Sequence, residues 1–165
     1  MDQKEVLLEQ MITCHEQKNW FVPLTVALEG VSADQAMWKE GDSNSIWEIV
    51  NHLTFWNERY LKFFKGGPLP QGKVVNDDTF DLSKVNDSNK EWVAAVSHLC
   101  NIMSEWIAVV KESDQDKLYS IAHIESGTSW SSMIANFNTH NAYHIGQIVQ
   151  IRKIQGIWDS SAGVN

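Results

Sequence analysis

The chain has 165 residues, enough for one domain that buries a sizeable core. A hydrophobic share of 43% with eight tryptophans excludes a disordered chain, and a formal charge of −8 with no basic cluster argues against nucleic acid or an anionic membrane as the main partner. No run of about 18 apolar residues is present to span a bilayer, and the polar start Met1-Asp2-Gln3-Lys4-Glu5 is unlike a signal peptide, so a cytoplasmic protein is expected.

Residues Gln3 to about Glu29 read as a first helix, with Leu8, Ile12, His15, Asn19 and Val22 along one side and Leu7 and Met11 widening it. Pro23 is expected to bend its second half and Gly30 to stop it. Ser32-Ala33-Asp34-Gln35 has the capping-box pattern and predicts a short helical turn ending near Met37. Ser45-Ile46-Trp47-Glu48 is a second capping box. It opens a strong helix to about Lys65, whose inner stripe is Ile46, Ile49, Val50, Leu53, Trp56, Tyr60 and Phe64. Gly66-Gly67-Pro68-Leu69-Pro70 ends it.

From there to about Asn86 the sequence has little periodicity. So long a connection is uncommon inside a domain. It is explained if two successive helices run parallel and the chain must return across a bundle, and it supplies residues that can cover one end. Ser88-Asn89-Lys90-Glu91 is a third capping box, before a helix that carries Trp92, Val96, Leu99, Met103, Trp106 and Val110 inward and ends near Ser113. Asp114 to Leu118 reads as a short turn and Tyr119 to Thr128 as a loop. Thr128 or Ser129 caps a last helix that runs to about Gln155 and stops at Gly156; the tail is expected to fray after Trp158. Four long helices with no persuasive strand give an all-α four-helix bundle with one long crossover, a single domain over residues 1–165.

The last helix holds the most informative spacing. His140 and His144 are one turn apart, on the same face as Trp130, Met133, Ile134, Phe137, Ile148 and Ile151. Imidazoles on a buried stripe need polar partners, because an unpaired buried polar group costs roughly 1–3 kcal/mol. The partner is either a backbone carbonyl, as for most core histidines, or a divalent metal. No glutamate follows His140, so the zinc-protease pattern HExxH is absent. His52, at the edge of the second long helix's stripe, is the third candidate ligand. Three neutral imidazoles leave a cation its full charge and an open position, which catalytic sites keep and structural zinc sites close.

Two segments resemble a known family. His140-Asn141-Ala142-Tyr143-His144-Ile145-Gly146-Gln147-Ile148, followed by Arg152 and Gly156-Ile157-Trp158, is similar to the closing signature of the DinB/YfiT-like superfamily. Ser45-Ile46-Trp47-Glu48-Ile49-Val50-Asn51-His52-Leu53-Thr54-Phe55-Trp56 resembles its first histidine motif. The resemblance implies a bundle in up-down-down-up order, often a homodimer, with a divalent metal, nickel or zinc, on His52, His140 and His144. For activity it implies a metal-dependent hydrolase, or alternatively an S-transferase using a low-molecular-weight thiol such as bacillithiol, glutathione or mycothiol. A non-catalytic, metal-stabilised binding module stays open as a third reading. A small-molecule substrate is expected; catalytic side chains beyond the metal ligands are not identified.

Around these residues, Glu48 either closes its capping box or accepts the second ring N–H of His52. Asn141 and Tyr143 contact substrate or pack between helices. Gly146 is expected to let another helix approach. Gln147 bonds a neighbouring backbone group or serves the site, and Arg152 is expected in a salt bridge. Trp47 and Trp56 are pocket wall or core. His15 lies on an inner stripe as a core or pocket group, His98 faces solvent, and His123 sits in a loop before the last helix. Cys14 and Cys100 form no CxxC pair and read as reduced, buried, small hydrophobes without nucleophilic character; spacing alone leaves a bridge between them open.

Overall fold

The computed structural model describes residues 2–68, 72–83, 85, 88–123 and 126–163. Leu69, Pro70 and Asn86 of the long connection and the chain end at Asn165 lie outside the described residues. Among the described residues seven α-helices follow in order: α1 (Gln3–His15), α2 (Leu24–Leu28), α3 (Ala33–Met37), α4 (Ile46–Phe64), α5 (Asn89–Glu112), α6 (Gln115–Tyr119) and α7 (Trp130–Ile154). The long four, α1, α4, α5 and α7, form the bundle.

The starts are set by side-chain caps. Ser32 and Ser45 each accept the N–H of the third helical residue, whose side chain returns to the cap's own N–H, so both capping boxes form as expected. Ser88 accepts from Glu91 N–H, and Ser129, rather than Thr128, caps α7. Gly156, at φ +71°, supplies the left-handed residue that ends the last helix.

Cross-helix contacts fix the directions. Trp47 meets Trp92 at 5.2 Å between ring centroids, and Trp106 Nε1 donates to the Asn57 carbonyl at 3.0 Å. Both partner numbers rise together, so α4 and α5 are parallel. His15 bonds Ser104 while Lys4 bonds the Ser113 carbonyl, so α1 and α5 are antiparallel. His52 meets His140 while Phe64 meets Trp130, so α4 and α7 are antiparallel. The order is up-down-down-up, and the parallel α4–α5 pair requires the chain to return between them. Part of that return, Asn76–Phe80, is a 3-10 turn packed on α4.

The core has two parts. One is built on Leu24, Trp47, Leu53, Trp92, Leu99 and Ile145; the other is built on Phe64, Trp106, Leu118, Trp130 and Ile134. α5 is long and apolar enough in composition to cross a membrane. Its Trp92, Leu99, Met103, Trp106 and Val110 are buried in the bundle instead, and Lys90, His98, Lys111 and Glu112 are exposed.

Three elements depart from expectation. The first helix stops at His15, not near Glu29: the polar run Glu16-Gln17-Lys18-Asn19 offers nothing to bury, and Pro23 starts α2 instead of bending α1. The segment before α7 is a small antiparallel hairpin, Ile121–His123 with Thr128–Ser129, where no strand was expected. Beyond Trp158 the chain forms a 3-10 turn at Ser160–Ala162, capped by Asp159. Both cysteines are free thiols, Cys14 buried and Cys100 half-buried.

Ser45 is buried and starts the helix that carries His52 two turns later. Ser45→Ala is expected to cost about 1 kcal/mol, read in urea denaturation as a lower midpoint with an unchanged m-value.

Candidate metal centre

α4 and α7 bring His52, His140 and His144 together, with ligand-capable ring nitrogens within 4.8 Å of one another. His52 Nε2 lies 3.0 Å from His140 Nε2, and His144 Nε2 lies 3.1 Å from the same atom. The pair on α7 is a consequence of helical spacing; the third ring arrives because α4 packs antiparallel beside it. His52 and His144 are buried, at 2% and 6% exposure, and His140 is half-buried. Among the described residues, no carboxylate or thiol joins the cluster.

The outer nitrogens decide where the protons are. Thr79 Oγ1 donates its only hydrogen to the Asn76 carbonyl at 2.5 Å, and stands 2.6 Å from His52 Nδ1. With its proton committed, the hydroxyl can only accept from His52, so Nδ1 carries the hydrogen and Nε2 presents a lone pair inward. Gln147 Oε1 is 2.7 Å from His144 Nδ1, and Gln147 Nε2 donates to the Tyr143 hydroxyl at 3.1 Å. An amide oxygen only accepts, so His144 too presents a bare Nε2. One N–H on His140 can point at only one of these two lone pairs. At least one contact near 3 Å is therefore between two unprotonated nitrogens.

A third proton does not relieve this. Burial, then the neighbouring imidazoles, push His52 down to about 3. Burial and His140 push His144 down to about 4, against the opposing effect of the hydrogen bond it donates to Gln147, and burial also lowers His140. The rings stay neutral at physiological pH, the state in which imidazole binds a metal. The donor set fits a divalent cation: converging neutral nitrogens with fixed tautomers, each outer nitrogen of His52 and His144 held by an oxygen.

Phe80 covers His52 face to face, with centroids 4.0 Å apart and planes 10° from parallel. The long connection thus closes one side. On the other side stand half-buried His140 and Tyr143, which is 63% exposed.

The other singled-out residues take the following places. Glu48 closes its capping box and bonds Lys39 at 2.9 Å; it does not serve His52, whose outer nitrogen is taken by Thr79. Asn141 is a buried helix-to-helix link to Asn57 at 3.0 Å. Gln147 serves the site. Arg152 bonds the carbonyls of Val26 and Ala27 at the end of α2 and stacks on Trp158 at 5.0 Å, so carbonyls replace the expected carboxylate partner. Among the described residues no helix lies against Gly146: a Cβ built there would meet none of their atoms within 4 Å. Trp47 is core and Trp56 is half-buried, stacked on Tyr60. His15 is buried against Ser104, His98 is exposed beside Glu58, and His123 bonds Ser126 away from the cluster. Burial holds the Cys14 thiol up at about 11 and raises Cys100, so neither is a nucleophile. Thr79 and Phe80 were not singled out from sequence, and no local pattern marks them: they lie in the aperiodic connection, 27 residues from His52 in the case of Thr79.

Residues 23–148, a span containing all three histidines, match the family model of the DinB superfamily. The solved structure of YfiT from Bacillus subtilis, described as a probable metal-dependent hydrolase with an unusual four-helix bundle topology, is similar in fold. It aligns with a TM-score of 0.65 at 16% identity over 95% of this chain and 87% of that one. No curated protein matches the chain in sequence.

Thr79→Val keeps the side-chain shape and removes the acceptor of His52 Nδ1–H. Metal affinity is expected to fall about 10–100-fold in a chelator competition titration, and Thr79→Ser should restore it. The pH response carries a defined sign. Folded His52 and His144 resist protonation down to about 3 and 4, whereas unfolded histidine titrates near 6.5. The unfolded state binds more protons in between, so metal-free protein loses stability as pH falls from about 6.5 toward 4. The melting temperature of chelator-treated protein should drop across that window, with a shallower slope in His52→Asn.

Proposed function

This chain belongs to the DinB superfamily, and from that premise we propose that it is a metal-dependent enzyme in which His52, His140 and His144 hold a divalent cation, nickel or zinc, and a small molecule is hydrolysed at its open side. The observation that carries the proposal is the pair of bare Nε2 atoms, fixed by Thr79 and Gln147, facing a third at 3.0 and 3.1 Å. The description of YfiT as a probable metal-dependent hydrolase agrees with this reading.

A divalent cation at such a centre supplies Lewis acidity, polarising a carbonyl and lowering the pKa of a water toward neutrality. The chain's own residues do the rest. Thr79 and Gln147 hold two rings in the tautomer that donates a lone pair inward. Phe80 keeps water from the closed face of His52. With no carboxylate beside the three histidines among the described residues, neutral imidazoles would leave a bound cation its full charge. At the mouth, the Tyr143 hydroxyl accepts from Gln147 and keeps its own proton to donate to a substrate oxygen.

The same polarisation would deprotonate a thiol, which is the transferase version of this chemistry. Protein purified without a polyhistidine tag is expected to carry about one divalent ion per chain, and His144→Ala to lose it. Ester or amide hydrolysis with no thiol present, abolished by chelation and restored by metal, is the expected result. Turnover only with an added thiol and a haloaromatic electrophile would replace hydrolysis with thiol transfer. Absence of stoichiometric metal would overturn the metal reading.

A further inference from the structure

Trp56 has no part in the metal centre, yet it stands beside it. It lies one turn past His52 on the same face of α4, about 5.4 Å further along the axis. Side chains on a helix lean toward its N-terminus, so the indole leans toward the level of His52. α7 runs antiparallel, and the same lean carries His140 toward the level of Trp56. Both side chains are half-buried, so they meet the solvent along one seam between the two helices.

The aromatic packing of that seam is interrupted at Trp56. His52, Trp56, Tyr60 and Phe64 form a row spaced four residues apart. His52 meets His140 and His144, with centroids 5.0 and 4.7 Å apart. Tyr60 meets Phe137 at 5.1 Å, and Phe64 meets Trp130 at 4.8 Å. Trp56 is the member of the row that reaches no ring of α7 among the described residues. Its ring contacts there are Phe55 at 5.2 Å and Tyr60 at 6.2 Å, both on its own helix.

Those two contacts fix the indole's orientation. Tyr60 lies 22° from parallel to it, and Phe55 stands edge-on at 90°. The indole N–H is also uncommitted: Trp92 and Trp106 each donate to a carbonyl, whereas Trp56 Nε1 has no hydrogen-bond partner among the described residues. A flat apolar surface with a spare donor thus sits one turn from a candidate ligand. That is the composition of a small-molecule subsite, in which apolar area supplies affinity and a few polar groups fix orientation.

We propose that Trp56 determines specificity at this site: a substrate with a planar aromatic ring on its reacting group lays that ring against the indole, on the α7 side, where no described ring of the chain lies. The proposal rests on the metal reading above and adds a substrate class to it. Aryl esters or aryl amides are preferred over their alkyl counterparts, and aryl electrophiles in the thiol-transfer version. A ring matches a flat, fixed surface over its whole area, which a puckered or branched alkyl group does not. A stacked ring pair is worth roughly two- to tenfold in affinity beyond the area it buries.

The test is calorimetric titration of the metal-loaded full chain with three hydroxamates that share one metal-binding head. Acetohydroxamate has no ring, benzohydroxamate a flat one and cyclohexanecarbohydroxamate a puckered one. The wild type is expected to bind the flat ring about fivefold more tightly than the puckered ring. Trp56→Leu should bring that ratio to about one. Trp56→Phe, which keeps a flat ring, should retain most of the preference. Metal content and helical circular dichroism show whether each variant is intact. If acetohydroxamate does not bind, the metal reading fails and this inference with it. If it binds but the wild type shows no preference for the flat ring, or the preference survives Trp56→Leu, this inference alone is overturned.

Discussion

Two buried imidazoles that both donate outward are committed to accept inward. In this protein Thr79 and Gln147 impose that commitment on His52 and His144, and the fold then points the two lone pairs at a third ring about 3 Å away. In a metal-free chain the arrangement is unfavourable, because a buried acceptor without a donor costs roughly 1–3 kcal/mol. Nearby polar groups in the same bundle show the opposite pattern: Asn57 and Asn141 satisfy each other, and Trp92 and Trp106 each reach a carbonyl. Single donors or acceptors are left over elsewhere, at His15 Nδ1, Trp47 Nε1 and Arg152 Nε, but only at this cluster, among the described residues, do three imidazole nitrogens converge within 4.8 Å.

The topology explains how the cluster is supplied. Because α4 and α5 are parallel, the chain must travel the length of the bundle between them, and it uses the trip to place Thr79 and Phe80 against His52. An up-down-up-down bundle with short loops would have no such segment at this end. The crossover therefore does more than connect helices: it fixes one ring's tautomer and covers its face.

Much of this was legible because it is local. The capping boxes at Ser32 and Ser45 are satisfied within one turn, and the His140–His144 spacing needs only a regular helix. His52 required in addition that two stripes face each other, which amphipathic periodicity and the family motif supplied. What escaped was non-local or a matter of degree. Thr79 meets His52 through tertiary folding of an aperiodic stretch, so no spacing rule reaches it. Arg152 lies on a helix where an ion pair was the natural expectation, but the open carbonyls at the end of α2 came within reach first. The spacing of Asn19 and Val22 continues the α1 stripe, but the polar run Glu16 to Asn19 has no surface to bury, and spacing alone does not report that.

α7 carries unequal demands around its circumference. Ile134, His144 and Ile148 face the interior, Asn138 and Arg152 hold α1 and α2, and Gly146 stands exposed on the far side. A helix gripped on so many sides has little freedom to tilt or rotate, which preorganises the two rings it carries. His52 rests on a helix fixed at its first turn by Ser45 and packed into the same core. All three proposed ligands thus sit on rigid rods, whereas the non-helical contribution, from the crossover, is a hydrogen bond to an outer nitrogen and an aromatic cover. Such a division keeps the three inward nitrogens on regular helices and leaves to the crossover only the outer contacts of one ring.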